Sequence, residues 1–140
     1  MFKKVTVIGD GSMATVCALL LHSQDVQVTL WGPFPEAMEN LAQTRDNSRY
    51  LPGHPIPREI DCTGDEARAL DGPELILNAI PTQYIRPTWD RLAPHAQPDI
   101  PVVSVAKGIE NESLLRPTQI IADALQQHGS DSPDSTPRPL

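Results

Sequence analysis

Short apolar runs alternate with segments of helical periodicity along most of the chain. Runs rich in Val, Ile and Leu predict five β-strands, at residues 5–8, 26–31, 60–63, 75–80 and 100–105. Apolar residues at helical spacing predict helices after residue 11, at 36–44, 65–70 and 83–92, and from Pro117. This alternation is typical of the α/β class. It predicts a doubly wound parallel sheet of the Rossmann type, with right-handed crossovers and strand order 3-2-1-4-5.

Two helices carry apolar stripes that predict which face each helix buries. In the first helix the stripe is Met13, Val16, Cys17, Leu20 and Leu21. In the closing helix it is Thr118, Ile121, Ala122 and Leu125. Prolines and turn formers at 46–57 predict a long irregular loop. We expect residues 1–129 to form one dinucleotide-binding domain, and 130–140, rich in Ser, Asp and Pro, to form a disordered tail.

A glycine-rich turn joins the first strand to the first helix. Gly9 permits the sharp reversal between them, and Gly11 allows a pyrophosphate to approach the main chain. Ala14 occupies the third position of the fingerprint, where close packing of helix on strand is required. Free N–H groups and the helix dipole favour an anion here. The pattern therefore predicts a dinucleotide site, against the alternative of a purely structural strand-turn-helix.

Ligands of such sheets bind at the carboxyl ends of the strands. We therefore expect the turn after the first strand to share one crevice with Trp31, Gly32, Pro33, Pro81 and Lys107. The end of the second strand has neither the acid that contacts a ribose 2′-hydroxyl nor the arginine that contacts a 2′-phosphate. The preference between NAD and NADP stays open.

The net charge of -7 argues against nucleic acid and anionic membrane surfaces as partners. The chain contains no apolar run of membrane-spanning length and its start leads directly into a strand, so we expect a cytoplasmic protein. Cys17 and Cys62 have no metal-ligand spacing and are expected to be reduced packing residues. No metal site is predicted.

Five separated segments together resemble the N-terminal domain of the NAD(P)-dependent glycerol-3-phosphate dehydrogenases, up to about Gln127. They are Gly-Asp-Gly-Ser-Met-Ala-Thr at 9–15, Leu-Trp-Gly at 30–32, Thr-Arg-Asp-Asn-Ser-Arg-Tyr-Leu-Pro-Gly at 44–53, Asn-Ala-Ile-Pro-Thr-Gln at 78–83 and Ala-Lys-Gly-Ile-Glu at 106–110. The third and fifth segments are far more specific than the glycine turn.

The resemblance implies hydride exchange between a nicotinamide and glycerol 3-phosphate, which gives dihydroxyacetone phosphate for phospholipid synthesis. It implies that Ser12 and Met13 contact the cofactor through the turn. Lys107 would reach both nicotinamide and substrate, with Gly108 allowing close backbone approach. Tyr50 is expected to line the crevice or to pack on its own loop.

The sequence departs from the family in several places. Met13 stands where the family usually has an aromatic residue, and Ala14 where it usually has glycine. Pro33 replaces an arginine of many relatives, and proline carries neither charge nor a donor. The family continues into a helical domain with the proton-accepting lysine, whereas this chain ends at Leu140. We therefore assign no catalytic residue here and expect glycerol 3-phosphate to bind only when a C-terminal domain is supplied.

Other readings stay open at this point. The chain is either the cofactor-binding part of a dehydrogenase or a non-catalytic nucleotide-binding module that keeps the fold. A ketopantoate or hydroxyacid reductase is a third reading, by fold analogy alone. An uncovered sheet edge predicts self-association.

Overall fold

The computed structural model describes residues 1–129, so the predicted tail at 130–140 lies outside the described residues. The strands are β1 (Lys4–Ile8), β2 (Gln27–Trp31), β3 (Asp61–Thr63), β4 (Leu75–Asn78) and β5 (Val102–Ser104). The helices are α1 (Ser12–His22), α2 (Pro35–Thr44), α3 (Glu66–Ala69), α4 (Thr82–Leu92) and α5 (Pro117–Gly129), with a short 3₁₀ turn at Ala93–His95.

The strands form one parallel sheet in the order β3-β2-β1-β4-β5, which confirms the predicted topology. Ile8 at the end of β1 lies opposite Trp31 of β2 and Asn78 of β4. The carboxyl ends of the three central strands are therefore level. The segments that follow them leave the sheet at the same edge, as the sequence predicts for a ligand crevice.

Each face of the sheet carries its own apolar core, because side chains alternate along a strand. Val7, Leu30 and Met38 belong to the core under α1 and α2. Ile8 and Trp31 belong to the core under α3, α4 and α5. Both strand faces are apolar, as expected for a parallel sheet covered on two sides.

The face predicted for α1 is partly wrong. Cys17 and Leu21 pack against the core as predicted, but Met13 is 53% and Leu20 62% exposed, and the fully buried positions are Ala14, Thr15 and Ala18. The small residues allow the helix backbone to approach the strands closely, with Ala14 against Gly9.

The face predicted for α5 is partly wrong. Ile121 is buried as predicted, but Thr118 is exposed, and the other buried positions include Ile120 and Ala124. These residues share the apolar core that contains the α4 residue Trp89. Because α5 packs on α4 as well as on β5, its buried face is rotated from the stripe that periodicity alone suggests.

Candidate functional site

The turn after β1 is held between the ends of β2 and β4. The Gly9 N–H donates to the Trp31 carbonyl at 2.7 Å, and the Ala79 N–H donates to the Ile8 carbonyl at 2.8 Å. Gly9 has a φ of 132°, and a Cβ there would lie 3.2 Å from Ala14 Cβ and 3.3 Å from the Ala79 oxygen. Only glycine combines this backbone angle with so little space.

Gly11 plays a different part from Gly9. It is the N-cap of α1, with φ of -81° and ψ of -174°, and it offers no side-chain cap. The first N–H groups of the helix therefore have no intrahelical acceptor. A Cβ built on Gly11 meets no atom within 4 Å. Open space in front of unpaired amides fits a diphosphate, since the helix dipole also favours negative charge there.

The loop at 46–57 is tied to this turn by an asparagine that our sequence analysis did not single out as a site residue. Asn47 Nδ2 donates to the Asp10 carbonyl at 2.9 Å and to Thr15 Oγ1 at 2.8 Å. Ser12 Oγ donates to the Tyr50 carbonyl at 2.5 Å. The serine hydroxyl hydrogen is thus used inside the protein. Its contact with a cofactor stays a prediction.

Two charged side chains modify the environment of the turn. Burial raises the pKa of the Asp10 carboxyl above its ordinary value, although its own backbone hydrogen bond and the positive charge of Arg49 act against that rise. The Arg49 guanidinium lies 5.0 Å from the centre of the Tyr50 ring, which is partly exposed. The Tyr50 ring thus contacts its neighbour in the loop, and its part in lining the crevice stays a prediction.

The end of β2 is closely packed. The whole Trp31 residue is buried, with its indole in the core under α3 to α5 and its carbonyl accepting from the Gly9 N–H. A Cβ on Gly32 would lie 2.5 Å from Met38 Sδ and 2.9 Å from Asp10 Cβ. Gly32 is therefore required for packing between α2 and the turn. Cofactor contact at 31–33 remains a prediction.

The segment after β5 is held by the start of α4, whose N-cap is the exposed Pro81. Thr82 Oγ1 donates to the Lys107 carbonyl at 2.7 Å, and Gln83 Nε2 donates to the Ile109 carbonyl at 2.9 Å. Gly108 has a φ of 106°, an angle that favours glycine. The Lys107 side chain is exposed. It is thus presented to solvent from a segment whose backbone is fixed.

An ion-pair network links the segment after β5 to α4 and α5. Arg86 of α4 binds the Glu110 carboxylate through Nε at 2.9 Å and Nη2 at 2.8 Å, and it binds Asp123 of α5 at 2.5 Å. Arg86 and the Ser113 hydroxyl lower the pKa of Glu110, and the carboxylates raise the pKa of Arg86. The sequence indicates only that Glu110 belongs to a specific motif. Its charged partner, Arg86, lies 24 residues away along the chain.

The turn after β1 and the segment after β5 emerge at one edge of the sheet. Ile8 is in register with Asn78, and Asn78 with Ser104. Asn78 itself is buried, accepting from Trp89 Nε1 at 3.0 Å and donating to Ser104 Oγ at 3.1 Å. Its side chain secures the strand ends and is not free for a ligand. Gly11 and Lys107 therefore follow strands that end at the same edge of the sheet, and a crevice shared by the two residues stays a prediction.

The part of the chain that the structure describes has neither a metal-ligand cluster nor a membrane-spanning helix. Within residues 1–129 no group of three His, Cys, Asp or Glu side chains is placed to hold a metal ion. No helix in that range has the length and apolarity needed to cross a bilayer. Cys17 and Cys62 are free thiols, and burial raises the pKa of each. Both properties suit packing residues.

Comparisons with known proteins agree with this arrangement. Residues 4–131 match the family described as NAD-dependent glycerol-3-phosphate dehydrogenase N-terminus. The glycerol-3-phosphate dehydrogenase [NAD(P)+] of Syntrophomonas wolfei is 38% identical over 122 residues, which cover 87% of this chain and 36% of that protein. The enzyme of the same name from an Anaeromyxobacter species is 36% identical over 122 residues, covering 87% of this chain and 37% of that protein.

A solved structure extends the likeness to three dimensions. The glycerol-3-phosphate dehydrogenase of Coxiella burnetii superposes with a TM-score of 0.80 at 25% identity, covering 88% of this chain and 38% of that one. The chain thus spans a little over a third of the length of the relatives it matches. It belongs to the NAD-dependent glycerol-3-phosphate dehydrogenase family and corresponds to the N-terminal domain of those enzymes.

Proposed function

We propose that this chain binds NAD or NADP across the carboxyl edge of its sheet, as the cofactor-binding part of a glycerol-3-phosphate dehydrogenase. The observation that carries the proposal is the open space at Gly11, in front of helix N–H groups that lack acceptors. A diphosphate fits there because it supplies both negative charge and acceptor oxygens. Gly9, Ala14 and the Asn47 contacts hold the turn in that shape before any ligand arrives.

A bound oxidised nicotinamide would supply the hydride acceptor for oxidation of the secondary alcohol of glycerol 3-phosphate to dihydroxyacetone phosphate, a reaction that also releases the alcohol proton. The chain's own contribution is to bind and orient. Lys107 is proposed to hold an oxygen of the substrate as a point charge, with Gly108 giving close approach. No group among the described residues is assigned as the proton acceptor. We therefore expect binding of dinucleotide and little turnover by this chain alone, in the cytoplasm.

Gly11→Ala tests the proposal without disturbing the fold. Its backbone angles suit alanine and an added methyl meets nothing, so the thermal unfolding midpoint should change little. The methyl would stand where the diphosphate must approach, so we expect NADH affinity, measured by calorimetry, to fall by about tenfold or more. Wild-type affinity in this variant, or no dinucleotide binding by the unmodified chain, would overturn the proposal.

Gly72→Ala is the matched control. Gly72 precedes β4 at the opposite edge of the sheet, and its Cβ position is equally open, but its φ is 60°. This variant should lower the unfolding midpoint and leave NADH affinity unchanged. Robust formation of NADH or NADPH from glycerol 3-phosphate by this chain alone would contradict the expectation of little turnover.

A further inference from the structure

Helix α4 crosses one face of the sheet just below the carboxyl edge. Its first residue, Thr82, contacts the segment after β5, and Trp89 contacts Asn78 at the end of β4. Arg91, in the last turn, reaches the far side, where Nη1 donates to the Pro33 carbonyl at 3.0 Å. A guanidinium from a distant helix thus lies beside the end of β2.

This guanidinium is held in a fixed position. It lies over the Trp31 ring at 5.3 Å, and its Nε donates to the Glu66 carboxylate at 2.9 Å, with Nη2 donating to the same oxygen. Arginine has five N–H groups. Three are used here, which leaves one hydrogen on each terminal nitrogen. The Arg91 side chain as a whole is 43% exposed.

The end of β2 is where the adenosine ribose of a dinucleotide lies in this fold. Gly32 packs against Asp10 of the glycine turn, so a ligand seated on the turn extends directly over this strand end. Pro33 offers no side-chain donor there. A guanidinium with two free N–H groups suits a phosphate, which it binds with charge-assisted hydrogen bonds.

We propose that Arg91 binds the 2′-phosphate of NADP and that Glu66, by pairing with Arg91, limits the preference for NADP over NAD. The inference rests on the proposed function, because it needs a dinucleotide on the glycine turn. The Glu66 carboxylate repels a 2′-phosphate and tolerates a 2′-hydroxyl. The pair therefore sets the ratio of the two affinities without contributing to diphosphate binding.

The experiment is calorimetric titration of the wild type, Arg91→Gln and Glu66→Gln with NADPH and NADH. Arg91→Gln should lower the affinity for NADPH by about tenfold and change the affinity for NADH by less than about twofold. Glu66→Gln should shift the ratio the other way, towards NADPH, because it releases Arg91 from its counter-charge. Titration with 2′,5′-ADP and 5′-AMP should reproduce both shifts, since these probes differ only in the 2′-phosphate.

Arg68→Gln is the control. Arg68 lies on α3 beside Glu66 but pairs with Asp61, so the affinity ratio should stay at the wild-type value. An unchanged ratio of NADPH to NADH affinity in Arg91→Gln, or an equal loss of both affinities, would show that Arg91 only supports the turn after β2. Either result would overturn the inference. If the wild type binds neither dinucleotide, the proposed function fails, and the inference fails with it.

Discussion

The side-chain nitrogen of Asn47 lies 2.9 Å from the carbonyl oxygen of Asp10, across 37 residues of sequence. Its second hydrogen reaches Thr15 Oγ1 at 2.8 Å. The amide thereby joins the glycine turn and the first turn of α1 to the loop at 46–57. Asn47 is buried, so both bonds are shielded from water.

Asn47→Asp tests whether this bridge shapes the binding turn. The variant keeps the shape of the side chain but cannot donate, which leaves the Asp10 carbonyl facing a buried carboxylate. We expect a loss of about 1–3 kcal/mol in the free energy of unfolding by urea, together with weaker NADH binding. Asn40→Asp, on the exposed side of α2, should change neither. Full NADH affinity in Asn47→Asp would show that the turn keeps its shape unaided.

Asp10 gives the site a pH dependence whose sign follows from its environment. Burial raises its pKa above 3.8, so the folded chain binds this proton more tightly than the unfolded chain does. Ionised Asp10 therefore lowers the free energy of unfolding. This loss grows as the pH rises from 3.8 to the folded pKa and is constant above the folded pKa.

Asp10→Asn removes that cost and the repulsion of a bound diphosphate. At pH 7 we expect greater stability than the wild type and about two- to fivefold tighter NADH binding. Well below pH 3.8 the urea midpoints of the two proteins should converge. A stability difference that persists unchanged in acid would mean that charge is not the cause.

Arg86→Met tests the ion-pair network under the Lys107 segment. Arg86 is 27% and Glu110 13% exposed, so the variant leaves a poorly hydrated carboxylate without its main partner. We expect a loss of about 1–2 kcal/mol at pH 7. Arg86 lowers the pKa of Glu110 in the folded chain. The stabilisation of the fold by this ion pair is therefore present above the ordinary pKa of 4.5 and is lost as the pH falls through the folded pKa.

Urea unfolding of this variant and the wild type at pH 7 and in acid measures the effect. The difference between them should shrink as Glu110 becomes protonated. Lys4→Met serves as the comparison, because the Lys4 ammonium donates to the Asp71 carbonyl, a group without a titratable proton, at an exposed position. A pH-independent loss in Arg86→Met would indicate lost packing as the cause.

Thr82→Val removes the hydroxyl that binds the Lys107 carbonyl while keeping the side-chain volume. We expect faster hydrogen exchange at the amides of 107–110, because one of the bonds that fix this segment is lost. Thr88→Val, at a buried position of the same helix, should leave those amides unchanged. Unaltered exchange in Thr82→Val would mean that Gln83 and Glu110 suffice to hold the segment.

The edge of the sheet at β5 predicts self-association. Val103 is 47% exposed on this terminal strand, and unpaired strand edges template pairing with other chains. Analytical ultracentrifugation should show association that increases with concentration and that Val103→Lys reduces. Leu114→Lys, at an exposed loop position, should have no effect. A monomer at all concentrations contradicts the prediction.

The sequence by itself determined the strands and their order. These features depend on neighbouring residues: apolar periodicity separates strands from helices, and the glycines at 9 and 11 mark the reversal between them. Given that alternation, the handedness of crossovers leaves few topologies. The segments at 44–53 and 106–110 identified the family, because specific motifs survive where overall identity is modest.

Only the tertiary structure decided which side of each element is used. The rotation of α1 follows from the contact between Ala14 and Gly9, and periodicity cannot detect it because large and small apolar residues both form stripes. Both faces of a parallel strand are apolar, so the sequence of β2 does not show which of the two cores each side chain enters. The structure places Trp31 in the core under α3 to α5. The side-chain hydrogen bonds of Asn47 and Arg91 join residues 25 to 58 positions apart. Such pairs are set by folding of the whole chain and leave no local pattern.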